Sequence, residues 1–145
     1  MPTVQAELFI PKPPQVVYAA AKDLEGLKPY LKDVESLKML EDKGHYSKSD
    51  WVAVAMGKKI HWVEEEEWND AELRNRFWSS EGDFDKYQGT WAFVAEGEGT
   101  KALLELEYEL NVPIFGGLLQ KLILKLMKEN ADGLLEGLKN RVMAG

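Results

Sequence analysis

Cysteine is absent from this 145-residue chain, which removes disulfide staples, thiol nucleophiles and thiolate metal ligands together. Histidine is nearly as scarce, with His45 and His61 the only two. They fall on different predicted strands and lack the helical two-histidine spacing of a hydrolytic zinc site, so neither a metal site nor a cofactor is expected. Ser47, Ser49, Ser79 and Ser80 lack the context of a nucleophile elbow, and no catalytic nucleophile is assigned. Gly97-Glu98-Gly99-Thr100 has no Gly-Lys-Ser/Thr ending and leads into a strand, so it reads as a hairpin turn and not a phosphate loop. Positive charge is also in short supply. Eighteen Lys and Arg against 25 Asp and Glu leave a net charge of −7, which repels a phosphate backbone and argues against nucleic acid as a partner. Lysines interrupt even the apolar Leu119 to Met127 segment, and no signal-peptide pattern opens the chain. The expectation is a soluble, cytoplasmic protein with no integral membrane association.

What the chain does contain is enough apolar sequence, 45% of residues, for one core, and residues 1–145 read as a single domain. From Thr3 to Ile10, Val4, Ala6, Leu8 and Ile10 alternate with polar positions, the period of a half-buried strand. The Pro11 to Pro14 cluster ends it, and Pro14 suits the first turn of a helix carrying Val16, Val17, Ala20, Ala21 and Leu24. A second, shorter helix is predicted over Asp23 to Leu31, made irregular by Pro29. Between Val34 and Leu110 short strands follow one another at hairpin spacing, with turns at Gly57-Lys58, Asn69-Asp70, Gly82-Asp83 and Glu96 to Gly99, giving about six strands of an antiparallel meander. The clearest places Ala102, Leu104, Leu106, Tyr108 and Leu110 on one face. Its expected partner presents Tyr87, Gly89, Trp91 and Phe93. Past Pro113 the period lengthens to about 3.6, with Leu119, Leu122, Ile123, Leu126, Met127, Leu134, Leu135, Leu138 and Val142 forming the stripe of a long amphipathic helix that covers the sheet.

This order, together with the segments FIPKPPQVVYAAAKDLEGLKPYLKDVESLKML, GDFDKYQGTWAF and the Leu-rich final helix, resembles the SRPBCC superfamily. That superfamily includes START-like lipid-binding domains and polyketide cyclase/dehydrase-like proteins. The resemblance covers essentially the whole chain and implies an α+β helix-grip fold: a curved antiparallel sheet of about seven strands around a long C-terminal helix, with two short helices after the first strand. It also implies a cavity between sheet and helix for a hydrophobic small molecule such as a lipid, quinone or polyketide-like compound. Trp62, Phe77, Tyr87, Trp91, Phe93, Leu106, Tyr108, Phe115, Leu119, Leu122, Leu126 and Met127 are the expected lining, against the plain alternative of a filled core. The function so implied is noncatalytic binding or carriage. The alternatives are a cyclase, aromatase or dehydratase, and a protein-interaction module whose partners the sequence does not name.

Four features stand apart from that frame. Glu64 to Glu67 form an acidic run that reads as a solvated strand end, although Glu64 and Glu66 share parity with Ile60, Trp62 and Trp68 and are the pair that would face inward. Arg74, Arg76 and Trp78 share a strand face opposite Asn75 and Phe77, and the arginines are expected to be exposed. Pro113-Ile114-Phe115-Gly116-Gly117 is either a cavity mouth or a plain strand-to-helix corner. Gly133 and Gly137, in the final helix, would widen a cavity, admit a close neighbour or simply sit at the surface.

Overall fold

The computed structural model describes residues 2–55, 57–110 and 117–144, without the side chains of residues 55 and 117–119. The chain opens with strand β1 (Thr3–Ile10), whose alternation buries Val4, Ala6 and Ile10. Helix α1 (Pro14–Lys22) begins at the predicted proline, where the missing N–H would have had no helical acceptor. Asp23 caps α2 (Leu24–Leu27) by accepting from the Gly26 N–H at 3.3 Å. Pro29 falls within the single 3-10 turn Lys28–Tyr30 that follows, which is the irregularity its ring imposes.

Six strands then run as a meander: β2 (Val34–Asp42), β3 (Tyr46–Ala55), β4 (Lys58–Asn69), β5 (Arg74–Gly82), β6 (Lys86–Glu96) and β7 (Gly99–Glu109). The sheet order is β1-β7-β6-β5-β4-β3-β2, antiparallel throughout. The β6–β7 register sets Tyr87 opposite Tyr108, Gly89 opposite Leu106, Trp91 opposite Leu104 and Phe93 opposite Ala102, pairing the two faces that the alternation predicts. His45 departs from expectation. It lies in the β2–β3 turn beside Gly44, whose φ of 84° suits glycine, and not on a strand.

Helix α3 (Gly117–Ala144) lies across the inner face of the sheet and buries Met127, Ala131, Leu135, Leu138 and Val142. Leu122 is not part of that stripe and is exposed. At about 100° per residue it points about 140° away from Met127, so the apolar pattern read from the sequence was wider than the face the helix can bury. The two helix glycines also separate. A Cβ on Gly137 would lie 2.6 Å from the Tyr30 carbonyl oxygen, so this glycine admits the 3-10 turn, whereas Gly133 faces open space with Asp33 Oδ2 4.0 Å away. Near the C-terminus Arg141 donates to the Ala20 and Asp23 carbonyls at 2.8 and 2.7 Å and pairs with the Asp23 carboxylate at 2.6 Å, fastening α3 to the α1–α2 corner. Among the described residues, no helix is long and apolar enough to cross a membrane.

Candidate functional site

Strands β3 and β4 form one long hairpin in which Ser47 faces Glu66, Ser49 faces Glu64 and Trp51 faces Trp62. The alternation of β4 sends Trp62, Glu64, Glu66 and Trp68 to the inner face and leaves Glu67 in solvent. The acidic run is therefore only in part the solvated strand end expected from composition. Glu64 is 7% exposed and Glu66 0%. A buried carboxylate requires donors, and the neighbouring strand supplies them. Ser47 Oγ and Ser49 Oγ each donate to a different oxygen of Glu66 at 2.6 Å. Those hydroxyls in turn accept the indole N–H groups of Trp68 at 2.9 Å and Trp51 at 2.8 Å. Trp62 Nε1 donates to Glu64 at 3.3 Å, and the two carboxyl groups are hydrogen-bonded to each other.

This arrangement polarises the pair. Burial, followed by the adjacent Glu66 charge, lifts Glu64 well above the ordinary carboxylate range. Burial also raises Glu66, but the bonds from Glu64, Ser47 and Ser49 oppose it. Glu64 is thus the member that keeps a proton and Glu66 the member equipped to carry charge, the usual outcome when two carboxyl groups share a dry site. The buried Tyr87 hydroxyl is held well above its ordinary value, first by desolvation and then by the neighbouring Glu64 carboxyl group.

Above the pair the inner face and the helices enclose a small cavity of about 30 Å³, room for about one or two water molecules. Its wall includes Trp51, Trp62, Trp68, Trp91, Phe77 and Tyr87 from the sheet, Leu24 and Leu27 from α2, and Asn130 and Leu134 from α3. The rings are interlocked: Trp51 stacks on Trp62 at 5.5 Å between centroids and 12° between planes, and Tyr87 lies 5.4 Å from Trp62 and 5.5 Å from Phe77. Asn75, buried beside them, accepts from the Trp91 backbone N–H at 3.1 Å.

The structure brings four of the expected lining residues, Trp62, Phe77, Tyr87 and Trp91, to this cavity. Phe93, Leu106, Tyr108 and Met127 are buried in the surrounding core, Leu126 is half-buried, and Leu122 is exposed. Phe115 and the Leu119 side chain lie outside the described residues, as do residues 113–116 of the supposed cavity mouth. Tyr108 stands out within the core, because its buried hydroxyl has no hydrogen-bond partner among the described residues. The wall also holds Trp51, Trp68, Asn75 and Asn130, which the sequence reading did not include in the expected lining. Parity with Trp62 pointed to Glu64, Glu66 and Trp68. The outer-face residues take no part in the site: Arg74 and Arg76 are exposed, with Arg76 over the Trp78 ring at 5.1 Å, and His61 pairs with Asp50 at 2.9 Å. Among the described residues, no three His, Asp or Glu side chains converge as a metal site would require.

Residues 10–139 match the family described as polyketide cyclase / dehydrase and lipid transport. The chain belongs to this family. TTHA0849 from Thermus thermophilus is 64% identical, with 99% of this chain and 98% of that one covered and a TM-score of 0.97. The Zhui aromatase/cyclase from Streptomyces sp. R1128 shares 13% identity over 98% of this chain and 93% of its own, with a TM-score of 0.90. The STAR-related lipid transfer protein from Xanthomonas axonopodis shares 12% over 96% and 84%, with a TM-score of 0.76. At such identities the last two establish the shared helix-grip fold alone. Among curated proteins nothing matches the chain. The polyketide cyclase / dehydrase and lipid transport family thus spans catalysis and carriage on one architecture, and the choice between them falls to the site.

Proposed function

We propose that this protein encloses a small, largely apolar molecule between α3 and the sheet, and that the Glu64–Glu66 pair holds the one polar group of that molecule. The observation that carries this reading is the wall of the cavity. It is aromatic and aliphatic except for two carboxyl groups and two asparagines, the pattern of an apolar pocket with a few orienting polar groups. A cavity of about 30 Å³ admits such a molecule only if side chains or α3 move aside, so binding is expected to be accompanied by opening of the helix–sheet contact. The exposed large apolar side chains, Phe9, Val16, Leu40, Val54, Val94 and Leu122 among them, are spread over several elements. Such scatter gives the protein-interaction alternative little support.

The test is native mass spectrometry of the purified protein, followed by solvent extraction and titration with apolar probes. A retained or bindable apolar compound, displaced or weakened by filling the cavity with Asn75→Phe, is the expected result. Failure of any apolar compound to bind would overturn the reading. The acid pair also favours a second reading, since two adjacent carboxyl groups, of which Glu64 holds its proton more firmly, are a donor and acceptor suited to cyclisation or dehydration. Recovery of a retained compound changed by ring closure or loss of water, in place of unchanged ligand, would select it.

A further inference from the structure

We infer that the polar group this cavity accepts is a cation, and that its ligand class is a small organic ammonium without an anionic group of its own. The inference rests on the cavity being the binding site. The pair sits in an interior whose wall, among the described residues, holds no Lys, Arg or His. Buried carboxylates in folded proteins are ordinarily balanced by a basic side chain, and among the described residues none lines the cavity. What surrounds the acids instead is four indole rings, a phenol and a phenyl group. Such rings present negative faces to a positive charge, and the attraction is strongest for indole and grows as water is excluded.

An anionic ligand is disfavoured by the same geometry, because it would meet two carboxyl groups with no cation among the described lining residues to receive it. A neutral apolar ligand would satisfy the rings but leave the charge of Glu66 as it was. An ammonium group answers both at once. The groups facing the acids from each packed element are uncharged or acidic: Ser47, Ser49 and Trp51 on β3, Trp62 and Trp68 on β4, Asn75 and Phe77 on β5, Tyr87 on β6, Leu24 and Leu27 on α2, and Asn130 on α3. The neighbouring Glu65 adds to the negative field at Glu66. Cation binding is therefore expected to favour loss of protons from the pair and to tighten as pH rises.

The experiment compares two soluble probes that differ in one atom and one charge, (2-hydroxyethyl)trimethylammonium and 3,3-dimethylbutan-1-ol, by isothermal titration of the whole protein at pH 5 and pH 8. The cation is expected to bind on the order of tenfold more tightly at pH 8, with the gap narrowing at pH 5. The shape-preserving double variant Glu64→Gln/Glu66→Gln is expected to lose that preference and bind the two probes alike. If that variant does not fold, the pH comparison on the unmodified protein decides alone. Equal or tighter binding of the alcohol at pH 8 would overturn the inference and leave the carrier reading standing. Binding of neither probe, with apolar compounds also rejected, would overturn both.

Discussion

Replacing Glu64 by glutamine makes a sharp test of the acid pair, because a glutamine amide has nearly the shape of a protonated carboxyl group. It can donate to Glu66 as the Glu64 proton does and can accept from the Trp62 indole as the Glu64 oxygen does at 3.3 Å. What it cannot do is ionise. In the unfolded chain Glu64 loses its proton near its ordinary value of 4.5, whereas in the fold burial and Glu66 hold the proton to much higher pH. Between those two points the folded state binds the extra proton, so stability falls as pH rises, by about 1.4 kcal/mol for each pH unit and each proton retained. The variant has no such proton to retain at this site. It should match the parent near pH 5 and exceed it by up to about 3 kcal/mol at pH 7. Asp23 and Asp70 have lowered values and act below the ordinary carboxylate range, outside this window, and everything common to both proteins cancels in the difference. Urea unfolding followed by far-ultraviolet circular dichroism at pH 5, 6 and 7 measures it. Parallel pH profiles for parent and variant would show that Glu64 ionises in the fold as it does in water, and the description of the pair would be wrong.

Two further outcomes follow from close contacts. Gly137→Ala should destabilise by about 1–3 kcal/mol despite alanine's helix preference, because its Cβ meets the Tyr30 carbonyl at 2.6 Å, while Gly133→Ala, in open space, should stabilise by about 0.5–1 kcal/mol; thermal melts with the same sign for both would sink this assignment. Ser49→Ala strips Glu66 of one donor and the Trp51 indole of its acceptor, so a loss of about 2–3 kcal/mol is expected in urea unfolding at pH 7, smaller at pH 5 where the pair is more fully protonated. A pH-independent loss under about 0.5 kcal/mol would show that the serine does not support the charge.

Much of this architecture was legible because local rules and global fold agree. Pro14 starts α1, Pro29 disrupts the second helix, and the alternation of β6 and β7 identifies the face that each presents. The acid pair was legible only halfway. Parity alone marks Glu64 and Glu66 as inward, but composition argues that four consecutive glutamates belong in water. The contest is decided by Ser47 and Ser49, which are serines on another strand, and nothing near residue 66 announces that they will arrive opposite it. Leu122 failed for a different reason. Leucine recurs in α3 more densely than one face can accommodate, so spacing identified a helix without identifying which leucines it buries.

The order of strands has a consequence for how the interior is assembled. Five of the six strand pairings join strands consecutive in sequence, and only β1 with β7 links segments about a hundred residues apart. Hairpins close small loops and form early, while a distant pairing must wait for the larger loss of chain freedom to be compensated. Both glutamates, both serines and three of the tryptophans belong to the single β3–β4 hairpin. That hairpin can align them while water still reaches the acids. The docking of α3 and the α1–α2 corner completes their burial, and with it the upward shift of both carboxyl groups.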